Sequence, residues 1–189
     1  MLGIQTAKDR LQRFYLDELS RARRRVDELR GKYPSATTPE MVQRLVDSKK
    51  TWAGTGGAVS GLFGLFSLPA DIALVTALQL SLIMEIAVLH RVNLKSDRAR
   101  GEVLDLLGYA NGIDQLHVAL RAGPKLVARV AQVLLARKGL LTLGRALPVL
   151  AAPISAHINN RDIQRAGETA LRFYGTMRNL PKKKQADAL

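Results

Sequence analysis

Apolar residues recur at intervals of three and four along much of the chain, which is the spacing of one face of an α-helix. The first such run is followed by Gly31 and Pro34, which disfavour further helix. We therefore expect an amphipathic basic helix over about residues 4–30. Its inward face is Leu11, Tyr15, Leu19, Ala22, Val26 and Leu29. No segment alternates apolar and polar residues as a strand does, so the pattern predicts an all-α fold.

A second helix is predicted to start at Thr38, with Thr38 as the N-cap and Pro39 at the first helical position. Its inward face is expected to carry Met41, Val42, Leu45 and Val46. This helix leads directly into the most apolar region of the chain.

The region from Thr51 to Leu89 contains only two charged residues, Asp71 and Glu85. Its first half is rich in glycine, and its second half is apolar on every side of a helix. Pro69 separates the two halves and suits the start of a new helix. The pattern predicts a hydrophobic helical hairpin at about 51–90 and a helical bundle around this central, glycine-rich hairpin.

The C-terminal half is predicted to be helical as well. Ser96 and Asp97 are placed to cap a helix over about 98–107, and Gly108, Asn111 and Gly112 are expected to interrupt the segment that follows. A further helix should open at 123–124, and Pro148 and Pro153 predict a broken segment. The last helix is expected over 161–177, with Ile163, Ala166, Ala170, Phe173 or Tyr174, and Met177 inward. We expect residues 1–180 to form a single domain and residues 181–189 a disordered basic tail.

Each arm of the hairpin approaches the ~20 apolar residues that a helix needs to cross a bilayer. Gly57 and Gly61 form a GxxxG pair, a spacing that lets two helix backbones approach closely in a membrane. Tryptophan also favours the membrane interface. The candidate membrane- or ligand-binding residues are Trp52, Gly54, Gly57, Gly61, Gly64, Phe63 and Phe66.

The opposing interpretation is a soluble bundle that buries the same hairpin as its core. Asp71, Gln79 and Glu85 would each be costly in lipid unless they were paired or near the headgroups. Arg145 is a candidate partner for Glu85 or Asp71 in a buried ion pair. Because a membrane bundle and a soluble core need that pairing equally, it does not discriminate between them.

The chain carries 29 Lys and Arg against 16 Asp and Glu, a formal net charge of +13. A field of this sign attracts anionic lipid, nucleic acid or an acidic protein. Acidic residues interleave with the arginines, and aromatic residues make up only 5% of the chain, so nucleic acid is the weaker candidate. The basic surface expected to meet lipid headgroups comprises Arg23, Arg24, Arg25, Lys49, Lys50 and Arg91.

Catalytic and cofactor motifs are poor. The chain has no cysteine, and its three histidines are far apart without a metal-binding spacing. The glycines from Gly54 to Gly61 match neither a dinucleotide fingerprint nor a phosphate-binding loop, because Val59 and Leu62 stand at positions that those motifs reserve. We therefore expect no enzyme activity, no cofactor and no metal.

Three blocks carry a family resemblance: LRGKYPSATTPEMVQRLV, the glycine-rich and apolar hairpin, and LPVLAAPISAHINNRDIQRAGETALRFY. Over about Leu29 to Tyr174 the chain resembles the EcsC family of bacterial proteins, named after a member encoded beside an ABC exporter. The resemblance implies a helical, membrane-associated protein with no established catalytic residues. Where the family commonly has a Tyr-Gly pair after the apolar helix, this chain has His90 and Arg91.

These observations predict a membrane-associated protein that binds lipid or a membrane partner through its hairpin and basic surface. Its expected partners are anionic membrane lipid or a membrane protein, and a homo-oligomer is a further option. The N-terminal region lacks the apolar stretch of a secretory signal, so the expected location is the cytoplasmic face of the cell membrane. The alternative is a cytoplasmic helical scaffold that binds a hydrophobic ligand or an acidic protein.

Overall fold

The computed structural model describes residues 2–63, 68–113, 132–133 and 148–178, with side chains for 13, 15–54, 72–113, 132–133 and 157–176. Five long helices account for most of this part, and it contains no strand, which confirms the all-α prediction. The helices are α1 (Leu2–Lys32), α2 (Thr38–Phe63), α3 (Leu68–Leu89), α4 (Asp97–Ala110) and α5 (Pro148–Arg178).

Helix α3 lies at the centre of the described bundle and contacts each of the other four helices. Its sequence is apolar on all sides, so it can be covered from every direction. Leu82, Ile83, Met84 and Ile86 have no exposed surface. Burying each such side chain contributes about 1.5–3 kcal/mol relative to leaving it in water.

Helix α1 packs on α3 through the face that its apolar spacing predicted. Tyr15, Leu19, Ala22 and Val26 are buried on this face. The Tyr15 hydroxyl donates to the Leu94 carbonyl oxygen at 3.2 Å, so α1 is also held by the loop after α3.

Helix α2 is continuous from Thr38 to Phe63, so the glycine-rich arm is its C-terminal half. Thr37, not Thr38, is the N-cap, because the Glu40 amide donates to the Thr37 hydroxyl at 3.4 Å. The Glu40 carboxylate in turn accepts from the Thr37 amide at 2.7 Å. This reciprocal capping box moves Pro39 to the second helical position.

Helices α2 and α5 pack closely along their length. Gly167 on α5 faces Val46 on α2, and the Asn159 side-chain amide donates to the Ala53 carbonyl oxygen at 3.2 Å. Helix α5 is continuous through Pro153, so a break at that residue is wrong. Pro148 stands at the first helical position, where the backbone amide has no partner within the helix. Pro153 lacks an amide proton as well, but the hydrogen bond that it removes lies near the N-terminal end of the helix.

A tight C-terminal cap ends α3 and turns the chain towards α4. Arg91 has φ of 62°. The Val92 amide donates to the Ala87 carbonyl at 3.0 Å, and the Arg91 amide donates to the Val88 carbonyl at 3.0 Å. These two bonds form a Schellman motif, in which glycine usually occupies the position of Arg91.

Ser96 caps α4 by accepting a hydrogen bond from the Ala99 amide at 3.2 Å, as predicted. Gly108, however, is buried inside this helix and does not interrupt it. The helix ends at the other two predicted interruptions, its C-cap Asn111 and Gly112, which has φ of 77°.

Buried amides join the central helix to α4 and α5. Gln79 and Asn111 have no exposed surface. The Asn111 amide donates to Gln79 Oε1 at 3.0 Å, and Gln79 Nε2 donates to the Asp162 carbonyl oxygen at 3.2 Å. Gln79 therefore finds its polar partners inside the bundle.

Two of the predicted elements lie outside the described residues: the helix opening at 123–124 and the tail at 181–189. The hairpin as a unit, and the single domain over 1–180, stay predictions.

Candidate functional site

Charged side chains are buried where α1, α2 and α3 meet. Glu85 on α3 has no exposed surface. Its Oε1 accepts a hydrogen bond from Lys49 Nζ on α2 at 2.8 Å and another from Arg25 Nε on α1. Arg25 Nη2 also donates to Glu18, which lies two turns earlier on the same face of α1. We call Glu18, Arg25, Lys49, Ser81 and Glu85 the Glu85 cluster.

The Ser81 hydroxyl connects the two cations of the cluster. Its oxygen accepts from Arg25 Nη2 at 2.8 Å and from Lys49 Nζ at 2.8 Å. The hydroxyl in turn donates to Glu85 Oε1 at 3.3 Å. Three helices are thus joined through polar contacts around a fully buried carboxylate, and a buried charge depends strongly on its partners.

Arg25 stays charged in this setting. Burial alone would lower the pKa of its guanidinium, but attraction to Glu85, together with hydrogen bonds to Glu18 and Glu85, raises the pKa above its ordinary value. The side chain is 32% exposed, so one edge of the guanidinium also reaches the surface.

A groove of about 430 Å³ opens above the Glu85 cluster. Its polar lining comes from all three helices: Glu18, Arg21, Arg25, Ser48, Lys49 and Ser81. Three of these residues are cations and one is a carboxylate, so the lining attracts anions. The volume falls within the range of ligand pockets, about 300–1,000 Å³.

One wall of the groove is apolar and consists of Trp52, Ala77 and Leu78. Trp52 is 67% exposed, the largest exposed fraction among the large apolar side chains of the described residues. Leu74, one helical turn before Leu78 on α3, is 38% exposed. The groove therefore places exposed apolar surface next to positive charge.

Comparison with known sequences identifies the group of proteins to which the chain is related. The sequence profile of the EcsC protein family matches residues 9–124, more than half of the chain. The chain belongs to the EcsC family. The match covers the segments that build the groove, and it leaves out the C-terminal block that contributed to the resemblance. Searches of curated proteins and of solved structures gave no match.

The predicted membrane- or ligand-binding residues of this EcsC-family chain fall into two groups. Trp52 lines the groove, and Gly54 lies against the Asn160 side chain of α5, where a Cβ would meet Asn160 Oδ1 at 3.4 Å. Gly57, Gly61 and Phe63 are part of helix α2. The structure describes their backbone but not the packing around them. Gly64 and Phe66 lie outside the described residues.

The predicted basic surface of the EcsC-family chain is partly wrong. Arg23, Arg24 and Arg91 are exposed, as expected. Lys50 is partly exposed, with its ammonium 4.0 Å from Asp47. Lys49, by contrast, is buried, because it follows Leu45 and Val46 on the inward face of α2 and pairs with Glu85.

Glu85 is buried and ion-paired, and the partners that the structure gives it are Arg25 and Lys49. Arg145 and the side chain of Asp71 lie outside the described residues, so their pairing stays a prediction. Glu18 was missed altogether. Glu18 is three residues after Tyr15 and four before Ala22, so it lies on the apolar face of α1. This spacing could have indicated that Glu18 is buried.

The described part of this EcsC-family chain contains one helical segment, Ile72–Leu89, that is long and apolar enough to cross a membrane. Within the bundle 72% of this segment is buried, and a core helix of a soluble protein satisfies the same criterion. Among the described residues no group of three or more His, Cys, Asp or Glu is arranged to hold a metal ion.

Proposed function

We propose that this EcsC-family chain is a non-enzymatic protein of the cytoplasmic face of the cell membrane, where it binds anionic lipid or a membrane partner. The observation that carries the proposal is the position of Trp52. This side chain is two-thirds exposed and shares a groove with Arg21, Arg25 and Lys49.

Such a combination suits the boundary between water and lipid. A tryptophan ring is favoured at the headgroup level because its indole is apolar with one polar N–H. Each basic residue near an anionic leaflet contributes about 1 kcal/mol of attraction. Arg23 and Arg24 add exposed positive charge on the same helix as Arg21. The net charge of +13 acts in the same direction.

The burial of α3 favours contact of the folded bundle with the membrane surface over a crossing. For the segment Ile72–Leu89 to enter lipid, α1 and α4 would have to leave it, and Glu85 would lose Arg25. An unpaired carboxylate in the bilayer is costly. The proposal therefore places Trp52 and Leu74 at the interface and keeps Glu85 inside the protein.

A second candidate is a soluble helical scaffold that binds a hydrophobic ligand or an acidic protein. It is supported by the 72% burial of the most apolar segment and by the internal pairing of Gln79 and Glu85. This candidate predicts a protein that is monodisperse without detergent and indifferent to vesicles.

Flotation with vesicles separates the two candidates. The purified chain is mixed with vesicles of phosphatidylcholine, or of equal parts phosphatidylcholine and phosphatidylglycerol, and washed at low and at high salt. We expect flotation with the anionic vesicles and a large loss at high salt, because screening weakens surface attraction. Flotation that survives salt would indicate insertion of apolar segments. Absence of flotation in every condition would contradict the proposal and favour the scaffold.

A pair of exposed aromatic residues provides the matched variants. Trp52→Ala should reduce flotation, whereas Tyr109→Ala should not, because Tyr109 lies on α4 and is not among the residues that line the groove. Tyr109 is 51% exposed, so both substitutions remove an exposed ring. Equal flotation of the two variants would count against a role for Trp52.

A further inference from the structure

The groove beside Trp52 has two chemically different zones. Arg21, Arg25 and Lys49 form the cationic zone, with the hydroxyls of Ser48 and Ser81. Trp52, Ala77 and Leu78 form the apolar zone. A ligand that fills both zones must therefore carry an anionic group and apolar chains in the same molecule.

Charge balance favours an anion in the polar zone. The lining holds three cations against the carboxylate of Glu18, and with Glu85 beneath the groove counted the net charge is still +1. Glu85, beneath the groove, takes one hydrogen bond from Arg25 and one from Lys49 through a single oxygen. Lys49 Nζ has two acceptors among the described residues, Ser81 and Glu85, and an ammonium carries three donors. One N–H of Lys49 is thus left for a further acceptor.

The apolar zone extends beyond the groove. Leu74 and Leu78 are four residues apart on α3 and therefore lie on the same face of the helix. Leu74 is 38% exposed, so the apolar surface continues along α3 away from the cations. This continuity distinguishes the groove from a site for a fully polar anion.

We propose that the groove between α1, α2 and α3 binds the phosphate headgroup of one anionic phospholipid, whose acyl chains lie against Trp52 and Leu74. The inference rests on the proposed membrane function and makes it specific, because it assigns lipid recognition to one groove with one lipid per protein. General attraction of a basic protein to an anionic surface requires no such groove.

Trp52 is the only tryptophan in the chain, so its fluorescence reports on the groove directly. The chain is titrated at constant ionic strength with dihexanoylphosphatidic acid below its critical micelle concentration. Inorganic phosphate and dihexanoylphosphatidylcholine serve as comparison ligands. We expect a saturable blue shift with the anionic lipid, and much weaker responses to phosphate and to the zwitterionic lipid. An equal response to either comparison ligand, or no saturable response, would overturn the inference.

Two arginines of α1 allow a matched test of the cationic zone. Arg21 lines the groove, and its Nη1 lies 3.7 Å from Glu18. Arg24 is outside the groove lining and makes a similar ion pair, with Nε 3.9 Å from Glu28. Their side chains are 57% and 71% exposed, so either substitution should leave the fold intact.

Arg21→Gln should weaken binding of dihexanoylphosphatidic acid about tenfold, the usual effect of losing a hydrogen bond between charged groups. Arg24→Gln should change it by less than about twofold, because it removes the same net charge from an exposed position. Equal weakening by both substitutions would mean that overall charge, not the groove, binds the lipid.

Flotation distinguishes failure of this inference from failure of the proposed function. If the chain floats with phosphatidylglycerol vesicles but the emission of Trp52 does not change during the titration with dihexanoylphosphatidic acid, membrane binding stands and the groove inference is overturned. If monomeric lipid binds saturably and is sensitive to Arg21→Gln but the chain does not float, the groove inference stands and the membrane function is wrong.

Discussion

The guanidinium of Arg25 on α1 donates a hydrogen bond to the carboxylate of Glu85 on α3, 60 positions further along the chain. Lys49 on α2 donates to the same carboxylate oxygen at 2.8 Å. Because Glu85 is fully buried, its negative charge is tolerated only through these partners. The three helices that form the groove are therefore held in place by one carboxylate.

Removal of either charge from the buried pair should destabilise the protein strongly. Glu85→Gln should lower the free energy of unfolding by about 3 kcal/mol, because it leaves Lys49 charged inside without its carboxylate. Lys49→Met should lower it by less, because Glu85 keeps Arg25 as a partner. The double variant should lose less than the sum of the two. Urea unfolding followed by circular dichroism measures these values. Glu28→Gln is the control, because this 68% exposed glutamate should contribute less than about 1 kcal/mol. Strict additivity would contradict the pairing.

The N-cap of α2 provides a second prediction, with a pH dependence. Thr37→Ala should lower the free energy of unfolding by about 1 kcal/mol, the usual effect of losing a cap. Thr38→Ala is the neighbouring control and should have little effect, since Thr38 is already a helical residue. Thermal unfolding of both variants at neutral pH tests the difference, and equal losses would place the cap elsewhere.

Hydrogen bonds from the Thr37 amide and hydroxyl lower the pKa of Glu40 below its ordinary value. A lowered carboxyl pKa stabilises the fold above the pKa of the unfolded chain, and this contribution is lost as pH falls through the folded-state value. Glu40→Gln should therefore show a smaller decrease in unfolding temperature between pH 6 and pH 3 than the parent chain, pH values that bracket the ordinary glutamate pKa of about 4.3. An unchanged pH profile would contradict the role of this carboxylate.

The close approach of α5 to α2 makes Gly167 sensitive to enlargement. A Cβ at this position would lie 2.4 Å from Val46 Cγ2, and a β-branched side chain has little freedom to move away. Gly167→Ala should destabilise by about 1–3 kcal/mol through overpacking. Gly175→Ala, on the same helix with nothing within 4 Å of its Cβ, should stabilise by up to about 1 kcal/mol. Chemical denaturation compares the two variants. Adding Val46→Ala to Gly167→Ala should reduce the destabilisation, because it removes the methyl group that the new Cβ would meet.

Arg91 occupies a backbone conformation that suits glycine. Its φ of 62° should make Arg91→Gly stabilising by up to about 1 kcal/mol, because the left-handed region disfavours residues with a Cβ by about 1–2 kcal/mol. Arg91→Gln is the control for loss of charge and should leave the unfolding temperature unchanged. A destabilised glycine variant would show that the arginine side chain contributes more than the backbone strain removes.

Periodicity predicted the parts of the fold in which apolar side chains decide the packing. The buried residues of α1 and the inward face of the last helix, with Ile163, Ala166 and Ala170, follow the predicted spacing. The start of α3 beside Pro69 was also predicted correctly. These features depend on local spacing, which a single sequence contains.

The Glu85 cluster was not predictable in the same way. Lys49 was assigned to the basic surface because it flanks the apolar hairpin, yet its position on the face of Leu45 and Val46 indicated burial. The identity of its partner depends on how three helices pack, and contacts across 36 and 60 positions leave no periodic pattern. Sequence therefore predicted that Glu85 needs a partner, and the tertiary structure determined which one.

The pairing of α2 with α5 has a consequence for the order of events during synthesis. The Glu85 cluster uses residues no later than Glu85, so α1, α2 and α3 are complete on the ribosome before α5 has been made. The contact from Asn159 to the Ala53 carbonyl spans 106 positions. Until α5 emerges, the nascent chain exposes the side of α2 that carries Val46. During this time a chaperone or a membrane surface could bind the uncovered apolar residues.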